Sequence, residues 1–302
     1  MTLTAEPTKV GRDEGYFPRG TSMLRRVHDE RAVGLLYGQR ALGIGAIAPR
    51  NCIGTLRHTR ARDKPFQRLV HTAKMFETIF FGSRAQADGV LATVRRLHDR
   101  VEGVLPASAG PFPAGTPYSA YDPELMLWTV AVIADSAQAF YELFVRRLSD
   151  AERERLWDDY VRFGELFGMP REAAPGSYAE FRDWFDERLR SDEAYLTAEA
   201  RYVGSAIMFQ IPVPLSRAPA MKLHNLIMLG ALPPRVRRLY GLSFTPAHAA
   251  AFRVAVAALR APRPIAPQVV RTGRNTSFFD LVADTERARF ARDEAIPGAL
   301  TS

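Results

Sequence analysis

The segment from residue 125 to residue 140, LMLWTVAVIADSAQAF, constrains the fold more than any other part of the chain. Asp122 can cap its first turn, and Pro123 suits the first helical position. The side chains that follow are mostly apolar until Asp135 and Ser136 interrupt them. Because a carboxylate buried in such a helix needs an opposite charge, the segment predicts a central helix and an arginine partner for Asp135. Catalysis is the second interpretation of this carboxylate.

Helix signals continue through most of the chain, and runs of alternating β-branched residues, which would indicate strands, are few. Capping boxes are indicated at Ser149 with Glu152 and at Ser177 with Glu180. Gly103 predicts the end of the helix that precedes it. The sequence therefore predicts an all-α protein built as a single-domain helical bundle.

Periodicity divides the chain into three parts. Residues 26–272 are predicted to form one helical domain, because no internal repeat divides them. The longest loop of the first half, residues 105–121, is too short to require a boundary. Residues 1–25 and 273–302 show weak periodicity and are predicted to be an N-terminal arm and a C-terminal tail.

The composition excludes several kinds of partner. The formal charge is +8, but only four of the basic residues are lysines, and the arginines are scattered among carboxylates. We therefore expect no nucleic-acid binding. The longest apolar run, residues 125–134, is shorter than the ~20 residues that span a bilayer, and the first residues lack the apolar core of a secretion signal. A cytoplasmic location without stable membrane insertion is expected.

Three polar side chains fall on one side of the helix predicted for residues 66–76, FQRLVHTAKMF. At 100° per residue, Arg68, His71 and Thr72 share a sector of roughly 100° with Met75. Because polar residues already occupy the opposite side, we expect the trio to point inward. Buried polar groups of this kind require partners.

His98 lies on an apolar stripe of the next predicted helix, RAQADGVLATVRRLHDRVEG, together with Leu91, Val94 and Val101. One interpretation is a core histidine that is hydrogen-bonded to a backbone carbonyl. The other is the axial ligand of a haem, which needs one neutral nitrogen donor in a dry pocket. Periodicity leaves both open and favours the first.

Five short segments follow one another in a characteristic order. They are YGQRALGIGAIAP at 37–49, RLVHT at 68–72, HDRVEG at 98–103, YSAYDPELMLWT at 118–129 and LSDAERERLWDDYVRFGELFGMP at 148–170. Together they resemble the haem-dependent oxygenase family that includes rubber oxygenase (latex clearing protein) and the fungal oxygenase of the mycophenolic acid pathway. The resemblance covers roughly residues 30–250, and the order of the segments makes it specific.

The resemblance implies a globin-like haem core with extra helices and a b-type haem whose iron is bound by His98. It also implies that Arg68, His71 and Thr72 are catalytic groups near the haem, chiefly on its distal side. Arg68 and Thr72 would contact the cofactor or bound dioxygen, and His71 would donate a hydrogen bond or act as a sixth iron ligand.

A structural alternative exists for the same three residues. It pairs Arg68 with a carboxylate such as Asp63 or Asp135 and bonds His71 and Thr72 to the backbone. The sequence does not decide between this alternative and the haem site.

Two departures from the family pattern bear on the substrate. Rubber oxygenases have a lysine where this chain has His71, and they have a glutamate upstream, whereas Asp63 is the single carboxylate between Arg40 and Arg68. Cleavage of polyisoprene is therefore not expected. We expect a small, largely apolar intracellular substrate that is oxidised with dioxygen or peroxide. The expected pocket is lined by Met75, Ile79, Trp128 and Met208.

Other functions stay open. A haem-dependent peroxidase or dehydrogenase would keep the cofactor and change the reaction, whereas a helical carrier or sensor would bind haem or a hydrophobic molecule without turnover. Cys52, the single cysteine, excludes a disulfide within the chain. A thiolate ligand at Cys52 would lack the surrounding pattern of P450 enzymes, so a buried thiol is the preferred interpretation. The oligomeric state is left open.

Overall fold

The computed structural model describes residues 15–59 and 62–300, which form an all-α fold with one small sheet. The helices in these residues are α1 Met23–Asp29, α2 Arg31–Gly45, α3 Pro49–Arg57, α4 Pro65–Phe81, α5 Arg84–His98, α6 Pro123–Phe144, α7 Asp150–Leu166, α8 Tyr178–Arg190, α9 Ala198–Phe209, α10 Ala218–Ala231, α11 Pro234–Tyr240, α12 Pro246–Arg260, α13 Gln268–Arg271 and α14 Thr276–Ala291. The all-α, single-domain prediction is confirmed. None of the described helices has the length and apolar character needed to cross a membrane.

Helix α6 forms the centre of the fold, and α2 packs along it. Its buried carboxylate, Asp135, has the predicted arginine partner. Arg40 of α2 donates to Asp135 over 2.7 Å and to the hydroxyl of Ser136 over 2.9 Å, and Arg182 of α8 donates to the other carboxylate oxygen. Although burial opposes ionisation, the two guanidinium groups hold the pKa of Asp135 below its ordinary value. The structural interpretation of this residue is therefore confirmed.

Several helix ends follow their sequence signals. Asp122 accepts hydrogen bonds from the first turn of α6, and Ser149 and Glu152 form the predicted capping box at the start of α7. Ser177 caps α8, but the carboxylate of Glu180 accepts from a glycine before the cap, so this box is only half formed. Local side-chain chemistry thus determines where these helices begin.

A β-hairpin follows α5 where the sequence predicted more helix. Helix α5 ends at His98, and the strands β1 (Glu102–Val104) and β2 (Pro117–Ser119) pair antiparallel with Gly103 opposite Tyr118. The predicted helix end at Gly103 is wrong by one turn or more. Pairing with a strand over a dozen residues away satisfies the backbone groups of this segment, and local signals do not encode such a partner.

The two predicted terminal segments are packed where the structure describes them. Residues 1–14 of the predicted arm lie outside the described residues, whereas Phe17, Met23 and Leu24 are buried in the main core. The predicted tail contains α14, which packs against α4. The domain boundaries at residues 25 and 272 stay predictions.

Helix α14 holds the start of α4 in place. The fully buried carboxylate of Glu286 accepts hydrogen bonds from the backbone N–H groups of Phe66 (3.0 Å) and Gln67 (2.8 Å). Lys64, the residue before α4, provides no side-chain cap of its own. A carboxylate from a distant helix therefore satisfies two of the first free N–H groups of α4 and complements its positive end.

Replacement of Glu286 by glutamine should destabilise the protein. Glutamine keeps one acceptor oxygen but loses the charge and brings an NH₂ group against a backbone donor, so we expect a loss of about 1–3 kcal/mol in the free energy of unfolding. Urea unfolding monitored by circular dichroism measures this loss. The control is Asp284→Asn, which removes an exposed carboxylate of the same helix and should cost less than about 1 kcal/mol. Equal losses in the two variants would contradict the capping role.

Candidate functional site

Helices α4 and α5 form a tight hairpin that places two of the predicted site residues at the same level. Gly82 ends α4, and Ser83 begins α5 with a capping box, so the helices run antiparallel. At 1.5 Å per residue, Arg68 and His98 both lie about 20 Å from this turn, at the open end of the hairpin. His71 lies one turn closer to the connection.

The ring of His98 is half-buried and has the properties of a free nitrogen donor. It lies between the rings of Tyr121 (centroids 6.0 Å apart) and Phe167 (6.4 Å). Neither ring nitrogen has a hydrogen-bond partner among the described residues. Burial lowers the pKa of His98, which favours the neutral imidazole. The predicted hydrogen bond from a core histidine to a backbone carbonyl is therefore not formed.

Aromatic side chains connect this histidine to α4. Phe167 contacts Phe163 (centroids 4.9 Å apart) and Phe76 (6.3 Å), and Phe76 lies one turn after Thr72 on α4. These rings form an apolar wall between α4 and α7 beside His98. Such a wall excludes water from the side of the imidazole that it covers.

Arg68 is half-buried and lacks the carboxylate partner that the structural alternative requires. One guanidinium nitrogen donates to the hydroxyl of Thr59 over 2.5 Å. No carboxylate pairs with Arg68 in the described part of the chain, because Asp135 is bound by the two arginines of the core and Asp63 lies beside a lysine. Burial lowers the pKa of Arg68. The pairing with Asp63 or Asp135 is wrong.

The predicted inward orientation of the whole trio is also wrong. His71 is exposed, and Thr72 is half-buried with its hydroxyl donating to the carbonyl of Arg68 over 3.1 Å. The buried stripe of α4 lies on the opposite side, where Phe66 and Val70 pack against α14. The sequence predicted a tail for the last thirty residues, so the prediction did not include α14, which covers this side of α4. The buried stripe of α4 was therefore assigned to the wrong face.

The predicted substrate pocket does not exist in the described structure. Ile79, Trp128 and Met208 are fully buried in the packed core, where the indole of Trp128 stacks on Phe185 and donates to a backbone carbonyl. Met75 is half-buried on α4. Apolar residues at helical spacing therefore mark the core here, and the prediction that these four line a cavity is wrong.

The best-formed pockets of the described residues are small. The first, which we call the arginine pocket, has a cavity volume of about 10 Å³ and includes Arg62, Arg68 and Thr59 in its lining. The second also has a cavity volume of about 10 Å³ and is lined in part by His28 and Glu77. Neither pocket includes His98, and each has room for about one water molecule, far less than the roughly 300–1,000 Å³ typical of ligand sites.

The sequence analysis missed His28. Its ring is buried, stacks on Phe80 (centroids 4.4 Å apart) and shares a hydrogen bond of 2.7 Å with the hydroxyl of Tyr160. Burial lowers the pKa of His28 to about 3. The signal was present, because Leu24 and His28 are four residues apart on one face of α1 and both point into the core.

The remaining side chains that could bind iron differ in their hydrogen-bond partners. The rings of His58 and His224 have one hydrogen-bond partner each, in Tyr118 and Asn225. The Nε2 atom of His224 is buried and has no hydrogen-bond partner among the described residues, and burial lowers the pKa of this ring, so His224 also carries a free nitrogen donor. Burial raises the pKa of Cys52 to about 12, so the thiol is neutral in this structure, in line with the buried thiol that the sequence favours. Within the described residues, no three His, Cys, Asp or Glu side chains gather closely enough to hold a metal ion by themselves.

Comparison with known proteins identifies the family. Residues 25–261 match the family described as "ER-bound oxygenase mpaB/B'/Rubber oxygenase, catalytic domain". The chain belongs to this family. The matched region contains the hairpin of α4 and α5 and ends before α13 and α14. The fold thus carries an oxygenase-type catalytic domain, as the resemblance implied.

Two mycobacterial proteins are similar to this chain over most of their own length. The uncharacterized protein Mb2261 of Mycobacterium bovis and the uncharacterized protein Rv2237 of Mycobacterium tuberculosis are each 22% identical over 196 residues, which cover 65% of this chain and 74% of theirs. No solved structure matches the chain.

The buried His28 should make stability depend on pH. Its pKa is about 3 in the folded protein, against an ordinary value of 6.5. Between these two pH values the unfolded chain therefore binds a proton that the folded chain does not bind. Stability from this group is complete above pH 6.5 and should fall by up to about 1.4 kcal/mol per pH unit as the pH drops from 6.5 towards 3. Urea unfolding between pH 7 and pH 4.5 measures the slope.

The variant His28→Gln lacks the titrating group and should show a smaller slope over the same range. His248→Gln is the matched control, because this ring lies at the start of α12 on the surface. A slope that is unchanged in His28→Gln would show that His28 does not cause the pH dependence.

Proposed function

We propose that the chain is a haem b-dependent oxygenase that oxidises a small, largely apolar substrate with dioxygen or peroxide. The observation that carries the proposal is the imidazole of His98, which is half-buried, is favoured in its neutral form and is free of hydrogen bonds to the described residues. Membership of an oxygenase family supports the reaction class. The cytoplasmic location stays a prediction, and the proposed substrate is intracellular.

The chemistry of the residues fits haem. A neutral imidazole in a half-dry environment is the donor that haem iron accepts, and His98 would hold the iron. The uncompensated charge of Arg68 suits an anion, such as a propionate group. When bound, haem would supply the iron that activates the oxidant. Neither of the described pockets has room for a group of this size in the packing seen here.

The chain's own groups would divide the remaining work. Phe76 and Phe167 exclude water beside His98, which keeps its imidazole neutral. Arg68 can donate several hydrogen bonds to an anionic oxygen, and the hydroxyl of Thr72 retains acceptor capacity. His71 is exposed and makes no hydrogen bond among the described residues, so its ring is free to turn towards a bound ligand.

The variant His98→Ala should lose most of its haem. The Soret absorbance per folded protein measures haem content, and added imidazole should restore the band by entering the vacated space. The control His248→Ala changes a histidine on α12 and should retain haem. Circular dichroism confirms that both variants are folded. Full haem content with a histidine-ligated spectrum in His98→Ala would show that another residue binds the iron.

The variant His71→Ala should change the ferric spectrum without loss of haem. If His71 supplies the sixth ligand in the resting protein, the wild-type spectrum is low-spin and six-coordinate, and the variant becomes high-spin. Absorption and electron paramagnetic resonance spectra of the two proteins measure the change. An unchanged spin state would place His71 off the iron and leave it as a hydrogen-bond donor.

A further inference from the structure

We propose that the surface formed by α12, α13 and the chain between them binds reversibly to bilayers that contain anionic lipids. Such binding needs neither haem nor the proposed reaction. It also requires no spanning helix, of which the described residues contain none. Two observations support it: the distribution of charge along the chain and the positions of the most exposed apolar side chains.

The positive charge of the chain is concentrated in residues 200–279, which we call the basic segment. It contains ten arginines and one lysine but no aspartate or glutamate. The rest of the chain has thirty basic and thirty-three acidic side chains, so the formal charge of +8 comes entirely from this segment. The mixing of arginines with carboxylates therefore ends at Glu199. A charge asymmetry of this size predicts an anionic partner.

The most exposed large apolar side chains of the described structure lie in the same segment. Five of them have between 61% and 90% of their surface exposed, whereas no other large apolar side chain among the described residues exceeds 55%. The five are Leu215, Val254, Ile265, Val269 and Val270. Positive charge and apolar exposure thus coincide, and a partner that is both anionic and apolar would satisfy both.

Helix α12 is apolar on two opposite sides, although none of its residues is fully buried. Phe252 and Val256 pack against the main core. Val254 lies two residues from each of them, about 160° around the helix, where it is exposed. This outward face continues through the exposed residues Ala250, Ala257 and Ala258. A helix of 15 residues is about 22 Å long and can lie flat in the interface of a bilayer.

The apolar side chains that follow α12 project from an anchored backbone. Arg263 donates to both carboxylate oxygens of Glu30 over 2.8 and 2.6 Å, and Arg31 donates to the backbone carbonyl of Val269 over 3.2 Å. Helix α13 and the chain before it are therefore held at the start of α2. Ile265 and Val269 nevertheless remain exposed, so their contact with water is a fixed feature of the fold.

Basic side chains beside this apolar surface have no counter-charge. Arg253 precedes Val254 and lies with Arg260 along one edge of the outward face of α12, and Arg271 follows Val270. None of these three arginines forms an ion pair with a described residue. Guanidinium groups next to aliphatic side chains match the interface of an anionic bilayer, because lipid phosphates accept their hydrogen bonds and acyl chains cover the aliphatic groups.

Two other partners match the surface less well. A nucleic acid would bind the arginines but would leave the aliphatic side chains in water, since single strands stack on aromatic rings. A second copy of the chain would cover the apolar face but would bring two basic segments together, and their like charges repel. An anionic bilayer satisfies both the charge and the apolar face.

Co-sedimentation of the full chain with lipid vesicles tests the proposal. One set of vesicles contains phosphatidylcholine alone, and the other contains an equal mixture of phosphatidylcholine and phosphatidylglycerol. We expect the partition coefficient to be about tenfold or more higher for the anionic vesicles and to fall as sodium chloride is added, because salt screens the attraction. Equal partitioning into the two sets, or binding to neither, would overturn the proposal.

The variant Val254→Asp should lower partitioning into anionic vesicles by about tenfold, because it places a negative charge on the apolar face. The matched control is Val104→Asp, which introduces the same charge at an exposed valine of β1 and should retain binding. Circular dichroism confirms that both variants are folded. Equal losses in the two variants would overturn the assignment to α12, and the comparison of the two vesicle sets with the wild-type protein needs no variant.

The double variant Arg253→Gln with Arg260→Gln should also lower partitioning by about tenfold, because it removes two cations at the interface. Its control is Arg147→Gln with Arg190→Gln, which removes two exposed arginines outside the basic segment. The two double variants have the same net charge. If they bind equally well, total charge and not this surface causes the attraction, and the proposal is wrong.

A fluorescent label at residue 254 measures contact with the acyl region directly. Cys52 is the only cysteine, and burial raises its pKa to about 12, so a thiol-reactive, polarity-sensitive dye will label Val254→Cys selectively. Its emission should shift to shorter wavelength with anionic vesicles, whereas the same dye on Val104→Cys should not respond. An unshifted emission at residue 254 would overturn the proposed contact.

Two results would assign the surface to another partner and overturn the proposal. The first is retention on DNA without binding to vesicles. The second is a dimer, seen by light scattering, that Val254→Asp dissociates and that does not bind vesicles. Failure of the proposed function has a different signature, because a protein that takes up no haem gives no Soret band while its binding to vesicles stays measurable.

Discussion

The carboxylate of Asp135 determines how the central helices of this fold pack. It lies on the most buried helix, α6, where an unpaired negative charge would be prohibitively costly. Arg40 brings α2 to it, Arg182 brings α8, and Arg40 also donates to the carbonyl of Ala231 at the end of α10. One ionised group thus connects four helices, and any register of α2 against α6 that separated Arg40 from Asp135 would leave the buried guanidinium of Arg40 without a counter-charge.

Helix α4 packs against α14 on one side, and its opposite side does not make this contact. Helix α14 buries Phe66 and Val70 and caps the first turn through Glu286, which fixes the rotation and the start of α4. The opposite side therefore presents Arg68 and His71 towards the open end of the hairpin with α5. Because this orientation comes from a helix beyond the family-matched region, the C-terminal extension contributes to the geometry of the candidate site without carrying any of its predicted residues.

Features of the fold that depend on neighbouring residues were predicted correctly from the sequence. Features that depend on contacts with residues far along the chain were not. Helix caps, the all-α class and the arginine partner of Asp135 follow from short-range patterns and from the cost of burying charge. The β-hairpin and the buried face of α4 depend on residues far along the chain, so periodicity alone assigned them wrongly. Of the candidate site, periodicity placed His98 on a partly buried stripe, whereas its role as an iron ligand came from the family resemblance and stays a prediction.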